Sequence, residues 1–293
     1  MDEEPPGGAP ERGGVEALRR VRRLLQSPLA VPEGGSALDG RVEPLNPDAP
    51  SPSLVKVLTY PREDWEEARR RILELISLGV EAVEFCGETR IDGLSVLGKG
   101  CVSVVVSART KRGRAALKVR RLDADRETME REARILRLAN SVGVGPRLLG
   151  WSRNAILMEL IDGTSIRRWA ETLSPEDVDG ARETVRKLLE KCRRLDEAGI
   201  DHGELSRAEK HVIVQPDGEP RIIDFETAST ERKPSNVTSV SSYLFISGAP
   251  SQKLREMLGI TDLEGVKELL RRYKKQKTDR AFQELLEKLN LKP

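Results

Sequence analysis

The amino-acid sequence predicts an α+β fold with two lobes, a small β-rich N-terminal lobe followed by a reduced helical C-terminal lobe. Short β-type runs rich in valine are concentrated between residues 94 and 119. From residue 174 onward, apolar residues recur at helical spacing, interrupted by one predicted hairpin at 212–223. Strands that precede helices in this way are typical of an α+β architecture.

Composition argues against several functional classes. The three cysteines (Cys86, Cys101 and Cys192) are far apart and neither histidine adjoins one, which argues against a zinc module and a disulfide framework. Lys and Arg total 50 against 48 Asp and Glu, so net charge predicts neither a DNA partner nor a membrane partner. No apolar run approaches the ~18 residues of a membrane-spanning helix, and the acidic N-terminus does not resemble a signal peptide. We therefore expect a cytoplasmic protein.

Residues 1–52 differ in composition from the rest of the chain. They contain nine of the 17 prolines and seven glycines, together about 31% of the segment, which exceeds the ~25–30% level of low-complexity sequence. We therefore predict a largely disordered extension. Within it, residues 15–26 have the spacing of one short helix with arginines on its outer face, which is either simply solvated or a basic docking element.

Three segments are predicted after this extension. Apolar residues from Trp65 to Ile76 keep helical spacing up to Gly79, a residue suited to a helix C-terminus. The three predicted segments are therefore an N-terminal helical extension at 53–90, the N-lobe at 91–161 and the C-lobe at 162–293. Strands are predicted at 94–97, 101–108, 115–119, 147–151 and 155–159, and helices at 125–139, 174–198, 235–246, 261–274 and 279–289.

Two glycines, Gly98 and Gly100, lie between strand-like runs. Glycine lets the backbone turn tightly and brings N–H groups close to an anion. Ser103 stands where a third glycine of G-x-G-x-x-G would be and no helix follows, so the segment is not a Rossmann fingerprint; the Gly-Lys-Ser/Thr of a Walker A loop is also missing. The segment is either an ordinary hairpin turn or a phosphate-binding loop between antiparallel strands.

Lys118 follows three apolar residues in the next predicted strand. A lysine there is either solvent-facing or buried beside a carboxylate. Glu132 offers that carboxylate, because Met129 at i−3 and Leu136 at i+4 place it on the apolar stripe of the predicted helix. We predict a Lys118–Glu132 ion pair; the alternative is that Glu132 lies at the rim of a solvated helix.

Polar residues also flank the hairpin predicted at 212–223. Pro-Asp-Gly between two β-branched runs favours a tight turn. Because the two strands of a hairpin run side by side, His211, just before the first strand, must lie beside Asp224, just after the second. A loop of sequence Asp-His-Gly-Glu-Leu at 201–205 precedes this hairpin and carries His202 and Glu204.

Together these segments resemble motifs of the protein-kinase superfamily over about residues 91–230. In chain order they correspond to the Gly-rich loop (97–105), V-A-I-K (115–118), its partner helix (125–139), the hinge strand (155–163), H-R-D-L (202–205) and D-F-G (224–226). The resemblance is strongest to the atypical branch of RIO-type kinases, the kinase subunit of the KEOPS tRNA-modifying complex and related predicted archaeal Ser/Thr protein kinases. It implies a protein-kinase-like fold and a serine/threonine protein kinase that transfers the γ-phosphate of ATP to a protein hydroxyl.

The resemblance also implies roles for individual residues. Catalytic roles are implied for Glu204, Lys118 and Asp224, and a role in bracing the catalytic loop for His202. ATP contacts are implied for Gly98, Lys99, Gly100, Val105, Ala116, Lys118, Glu132, Met158, Glu159 and Ile161. Asp224 would bind Mg²⁺ or Mn²⁺.

The sequence departs from the kinase pattern at the catalytic and metal-binding positions. Glu204 replaces the catalytic Asp, and its extra methylene moves the carboxylate by about 1 Å, a displacement that can cost ~10²-fold in rate. The metal-binding Asn is missing, and either His211 or Glu209 stands in its place. Because an imidazole suits Mn²⁺ better than Mg²⁺, His211 predicts either one-metal catalysis or a preference for Mn²⁺.

Two further departures leave other functions open. Glu226 replaces the Gly of D-F-G, and no A-P-E motif follows Asp224. They favour one alternative, a small-molecule kinase or an ATPase switch in an RNA-linked complex. A second alternative, a nucleotide-binding pseudokinase scaffold, is motivated by Glu204 and the missing Asn, whereas the intact Lys118, Glu132 and Asp224 argue against it. The basic stretch at 271–277, from Arg271 to Lys277, is either a solvated helix or a patch that contacts RNA or a ribonucleoprotein.

Overall fold

The computed structural model describes residues 40–292, in which a seven-stranded antiparallel sheet precedes a largely helical region. This arrangement confirms the predicted α+β fold with two lobes. The helix predicted at residues 15–26 lies outside the described residues.

The N-terminal part contains nine strands and three helices. The strands are β1 (Arg41–Pro44), β2 (Val80–Phe85), β3 (Thr89–Ile91), β4 (Leu94–Val96), β5 (Gly98–Lys99), β6 (Ser103–Thr110), β7 (Gly113–Arg120), β8 (Leu148–Trp151) and β9 (Ala155–Glu159). The helices are α1 (Pro52–Leu58), α2 (Trp65–Ser77) and α3 (Glu130–Ser141). The main sheet has the order β1-β2-β6-β7-β9-β8 with β5 paired to β6, whereas β3 and β4 form a separate hairpin.

One face of the main sheet is covered by α1 and α2. Leu54 and Ile72 of these helices pack with Val106 and Leu117 of the sheet in one buried cluster. Helix α2 begins where its N-cap, Asp64, accepts a hydrogen bond from a backbone N–H of the first turn. The opposite face of the sheet is left to face the C-terminal lobe.

Strands β1 and β2 were not predicted from the sequence. Arg41–Pro44 lies inside the segment expected to be disordered, and Val80–Phe85 lies inside the segment expected to be helical. Arg41 is paired with Phe85 in an antiparallel register, so β1 is an edge strand that is hydrogen-bonded to β2 on one side. Composition averaged over a long Pro/Gly-rich segment conceals a four-residue strand of this kind, because its pairing partner is about 40 residues away.

The C-terminal part contains three short strands and six helices. They are β10 (Thr164–Ser165), α4 (Ile166–Thr172), α5 (Val178–Glu197), β11 (Val212–Val214), β12 (Pro220–Ile222), α6 (Asn236–Ser242), α7 (Ser251–Leu258), α8 (Leu263–Gln276) and α9 (Asp279–Lys288). A 3₁₀ segment occupies Leu205–Lys210, and a π-helical turn, Tyr243–Ser247, extends α6.

Helix α5 is the centre of this lobe, and its buried end is anchored by a carboxylate. Leu188 and Cys192 lie in one apolar cluster with Phe245 of the π-helical turn. Near the C-terminus of α5, Asp196 is 5% exposed and accepts hydrogen bonds from the N-terminus of α6 and from the Tyr273 hydroxyl of α8. The carboxylate therefore joins three helices directly beneath the loop that follows α5.

Candidate active site

The glycine-rich loop (97–105) is held by Tyr60 and Arg121, which lie outside it in the chain. The Gly100 N–H donates to the Ser103 carbonyl at 2.8 Å, which closes the turn between β5 and β6. Arg121 donates to the Gly100 carbonyl at 2.8 Å. Lys99 donates to the Tyr60 hydroxyl at 2.7 Å, and both cations lie within 5.0 Å of the Tyr60 ring centre. The Lys99 side chain is thus bound to Tyr60, and only its backbone remains for the ATP contact that was predicted.

Four predicted ATP-site residues lie on one face of the sheet. Val105 is paired with Lys118, and Ala116 is paired with Met158. Cross-strand partners face the same side and side chains alternate with a period of two residues. Since the apolar residues between them pack under α1 and α2, these four side chains face the C-terminal lobe.

Lys118 is the centre of a buried charge cluster. Its Nζ atom, in a side chain only 4% exposed, lies 2.6 Å from Glu132 Oε1 and 2.7 Å from Asp224 Oδ1. A third carboxylate oxygen, Oε2 of Glu226, lies 3.2 Å away. Burial alone would lower the pKa of Lys118, but the three carboxylates raise it well above its usual range. Lys118 is therefore a permanent cation, and its predicted contact with Glu132 is confirmed.

Asp224 adopts a left-handed backbone conformation with φ of 65°. Such a conformation in a non-glycine residue is costly and is concentrated at functional sites. Burial would raise the pKa of Asp224, but the neighbouring Lys118 ammonium lowers it. The carboxylate is therefore ionised at neutral pH and available to a cation.

Glu204, His211 and Asp224 converge on one point. Each offers one ligand atom, and these atoms lie within 4.8 Å of one another. Glu204 also accepts hydrogen bonds from Arg207 at 2.9 Å and from the Thr227 hydroxyl at 3.3 Å. The cluster joins the loop at 201–205 to both ends of the hairpin, and the hairpin geometry predicted its His211–Asp224 part.

The geometry distinguishes His211 from Glu209 at the position of the missing asparagine. His211 Nδ1 lies 3.8 Å from Asp224 Oδ2, and burial lowers the pKa of this histidine, so the ring is neutral at pH 7. Glu209 lies instead beside Tyr243, where burial and the Glu209 carboxylate raise the pKa of the phenol. His211, not Glu209, therefore faces Asp224.

The side chain of His202, in the loop at 201–205, is fully buried. Its Nε2 atom lies 3.0 Å from the Ile223 carbonyl, and its ring packs edge-on against Phe225 and His211. Burial lowers the pKa of His202 to about 4, so the ring is neutral at pH 7. These contacts are those of a bracing residue, since they fix the loop to the hairpin that carries Asp224.

The hinge carries a contact between the lobes that sequence reasoning missed. The Glu159 N–H donates to the Arg147 carbonyl at 2.9 Å and is not free for adenine. Its carboxylate accepts from Arg221 of β12 at 2.7 Å. Ile161 follows the strand and is partly exposed. The Glu159 N–H is therefore already occupied by the Arg147 carbonyl.

Other contacts around Lys118 also escaped prediction. Arg126 lies 3.4 Å from Glu132 and donates to the Glu226 carbonyl at 3.4 Å, so it links α3 to the segment after Asp224. The contacts of Arg126 could not be predicted from the sequence, because this residue precedes α3 in an irregular segment. The substitution of Glu226 for Gly was visible, but its contact with Lys118 joins residues 108 positions apart.

The basic stretch at 271–277 lies at the end of α8 and just beyond it. Arg272 is paired with Glu284 of α9. Lys274 and Lys275 are exposed and have no ion-pair partner among residues 40–292. Within the same part of the chain, no helix is long and apolar enough to cross a membrane.

Comparison with protein-family models matches residues 104–240 to the RIO domain. The matched segment begins in β6 and ends in α6, and it contains Lys118, Glu132, Glu204 and Asp224. A search among curated proteins finds no match to the sequence.

Proposed function

Because residues 104–240 are a RIO domain, of an atypical protein kinase family in the kinase superfamily, we propose that the protein transfers the γ-phosphate of ATP to a serine or threonine hydroxyl of a protein. The observation that carries this proposal is the bonding of Lys118 to both Glu132 and Asp224. A lysine fixed by a helix glutamate and placed beside the metal-binding aspartate is the arrangement with which kinases hold the phosphates of ATP.

The residues present fit a divalent cation. Asp224 and Glu204 supply carboxylate oxygens, and the buried Nδ1 atom of His211 has no hydrogen-bond partner among the described residues. When bound, such a cation neutralises negative charge on the ATP phosphates. We propose that Mn²⁺ is preferred to Mg²⁺, because the set contains an imidazole nitrogen where Mg²⁺ favours oxygen.

Glu204 would orient the acceptor hydroxyl and accept its proton on a carboxylate oxygen. Arg207 and Thr227 hold this side chain at 2.9 and 3.3 Å, which fixes the position of the longer glutamate. Lys118 would bind phosphate oxygens throughout the transfer, because its raised pKa keeps the ammonium charged. Both residues act by positioning and electrostatics, which supply most of the catalysis in phosphoryl transfer.

Transfer of labelled γ-phosphate from ATP tests the proposal. The protein is incubated with ATP alone, where labelling of itself and release of free phosphate are both measured, and with a generic basic protein as acceptor. Asp224→Ala is compared with Asp179→Ala, which removes an exposed carboxylate on α5. We expect labelled protein that is lost only in Asp224→Ala. Free phosphate without labelled protein supports an ATPase switch instead, and nucleotide binding without turnover supports a pseudokinase scaffold.

We also propose that the end of α8 contacts RNA. The supporting observation is the exposure of Lys274 and Lys275 without ion-pair partners among the described residues. RNA binding through such residues weakens steeply as salt concentration rises. The double substitution Lys274→Glu and Lys275→Glu should reduce both affinity and salt dependence, whereas the matched pair Lys111→Glu and Arg112→Glu in the β6–β7 turn should not.

A further inference from the structure

Glu226 occupies the space between the glycine-rich loop and Lys118. Its Oε2 atom lies 3.2 Å from Lys118 Nζ and 3.5 Å from the hydroxyl of Ser103, which donates to it. A Cβ atom added to Gly100 would lie 3.9 Å from the same oxygen. The Glu226 side chain is only 14% exposed, so this carboxylate is enclosed between the glycine-rich loop and Lys118.

Under the proposed function, this is the place where phosphates of ATP must bind. An ammonium group has three N–H donors and no more. Glu132, Asp224 and Glu226 all lie within reach of those donors. A phosphate oxygen can therefore bind Lys118 only if one of the three carboxylates gives way.

Glu226 is the carboxylate that is held most weakly. Glu132 is 4% exposed and is also paired with Arg126. Asp224 lies 2.7 Å from Lys118, whereas Glu226 lies 3.2 Å away and has the Ser103 hydroxyl as its other side-chain contact. Glu226 is therefore the group that a phosphate displaces.

The displaced carboxylate has a consequence for the charge of the site. Three carboxylates and two cations, Lys118 and Arg126, leave this cluster with one net negative charge. A nucleotide polyphosphate without a bound cation is repelled by that negative charge. The released Glu226 carboxylate would remain within a few ångströms of the phosphates and would repel them as well. A nucleotide that arrives with a divalent cation brings the charge that offsets the carboxylate.

We propose that Glu226 determines specificity for cation-complexed nucleotide, by holding Lys118 in the nucleotide-free protein and releasing it only when a divalent cation accompanies the phosphates. This inference rests on the proposed function, because it requires nucleotide to bind at Lys118. It assigns a role to the residue at which the Asp-Phe-Glu segment departs from D-F-G.

Nucleotide binding measured by calorimetry tests this role without any need for catalysis. The dissociation constants of ADP and ATP are measured in EDTA and in saturating Mg²⁺ for wild type, Glu226→Gln and Glu231→Gln. Glu231 is the matched control, because it is an exposed carboxylate five residues further on. Glu226→Gly serves as a second variant if Glu226→Gln does not fold, which thermal melting of the same samples shows.

We expect Glu226→Gln to bind nucleotide about tenfold more tightly than wild type in EDTA, because a negative charge beside the phosphates is removed. The difference should be small in Mg²⁺, and Glu231→Gln should match wild type in both conditions. Equal affinities of wild type and Glu226→Gln in EDTA overturn the inference. A loss of affinity confined to Mg²⁺ also overturns it, because Glu226 would then be a direct cation ligand. If none of the proteins binds nucleotide in either condition, the proposed function itself fails.

Discussion

The Nδ1 atom of His211 lies 3.8 Å from Oδ2 of Asp224, at the point where the two strands of the β11–β12 hairpin begin and end. The hairpin register places the two residues side by side, and we propose that His211 takes the place of the metal-binding asparagine of the kinase pattern. Since burial keeps the imidazole neutral, its nitrogen lone pair is available to a metal.

Metal preference should therefore depend on residue 211. We expect wild type to transfer phosphate faster with Mn²⁺ than with Mg²⁺, and His211→Asn to lower the Mn²⁺/Mg²⁺ rate ratio by about tenfold, the scale of changes around a metal site. The measurement is initial rate against the concentration of each metal. His202→Asn is no substitute control, because the His202 ring contacts the Ile223 carbonyl and Phe225 next to Asp224. Lys111→Asn, at an exposed residue of the β6–β7 turn, controls for a substitution remote from the cluster. An unchanged ratio in His211→Asn would exclude a metal-binding role.

Substitution of Lys118 should separate stability from activity. Lys118→Met leaves Glu132 buried without its ammonium partner, and the loss of one partner of a buried ion pair costs about 3–5 kcal/mol of unfolding free energy. Replacing the pair by Lys118→Met and Glu132→Leu together should restore much of that stability, since no buried charge is left unpaired in α3. Phosphotransfer should fall by at least about 10²-fold in both.

Unfolding in chemical denaturant and phosphotransfer rates, measured on the same preparations, check the two predictions for Lys118→Met and the double variant. A double variant as unstable as Lys118→Met would contradict the charge argument, and a double variant with near-normal activity would contradict the role of Lys118.

Asp196 should be a strong stability determinant outside the active site. Its carboxylate accepts from the Asn236 N–H and side-chain amide at 2.8 Å and from the Tyr273 hydroxyl at 3.1 Å. Asp196→Ala leaves these buried donors without an acceptor, at about 1–3 kcal/mol for each unsatisfied group. We expect a loss of about 3 kcal/mol in chemical denaturation. Asp279→Ala, at an exposed carboxylate of α9, should lose less than about 1 kcal/mol.

The same residue predicts a pH dependence of stability. Burial raises the pKa of Asp196 above its unfolded value, although hydrogen bonds from Asn236 and Val237 oppose the shift. Between the unfolded pKa of about 4 and the raised folded pKa, the folded state binds more protons, so stability falls as pH rises. Asp196→Asn lacks this titration. The unfolding free energy of wild type minus that of Asp196→Asn should therefore decrease with pH across this window, and a difference that is flat or increases would contradict the shift.

Sequence reasoning located contacts that a single element or hairpin determines. The Lys118–Glu132 contact was predictable because helical periodicity fixes which residues of α3 face the sheet. The side-by-side position of His211 and Asp224 was predictable because a hairpin fixes its two ends. In contrast, the contact of Glu226 with Lys118 depends on how the two lobes are joined. No local pattern contains that information. The edge strand β1 was missed because its partner β2 lies about 40 residues further along the chain.

The ion pair between Glu159 and Arg221 is another contact of this long-range kind, and it should couple the hinge to the C-terminal lobe. The two side chains meet through both carboxylate oxygens, at 2.7 and 3.2 Å, and Arg221 also donates to the Gly145 carbonyl. Partial burial alone would raise the pKa of Glu159, but Arg221 and the Arg147 N–H lower it. The stabilisation is therefore present above the unfolded pKa and is lost as pH falls through the lower folded pKa.

A double-mutant cycle with Glu159→Gln and Arg221→Gln should measure this coupling. At pH 7 we expect about 1 kcal/mol of coupling free energy, within the range for a partly buried bidentate pair. The coupling should shrink in acid as Glu159 becomes protonated. The exposed pair Arg167–Glu171 on α4 is a matched control, for which about 0.3–0.5 kcal/mol is expected. A coupling at Glu159–Arg221 no larger than this control, or one unchanged between pH 7 and strong acid, would show that the contact does not join the hinge to the lobe energetically.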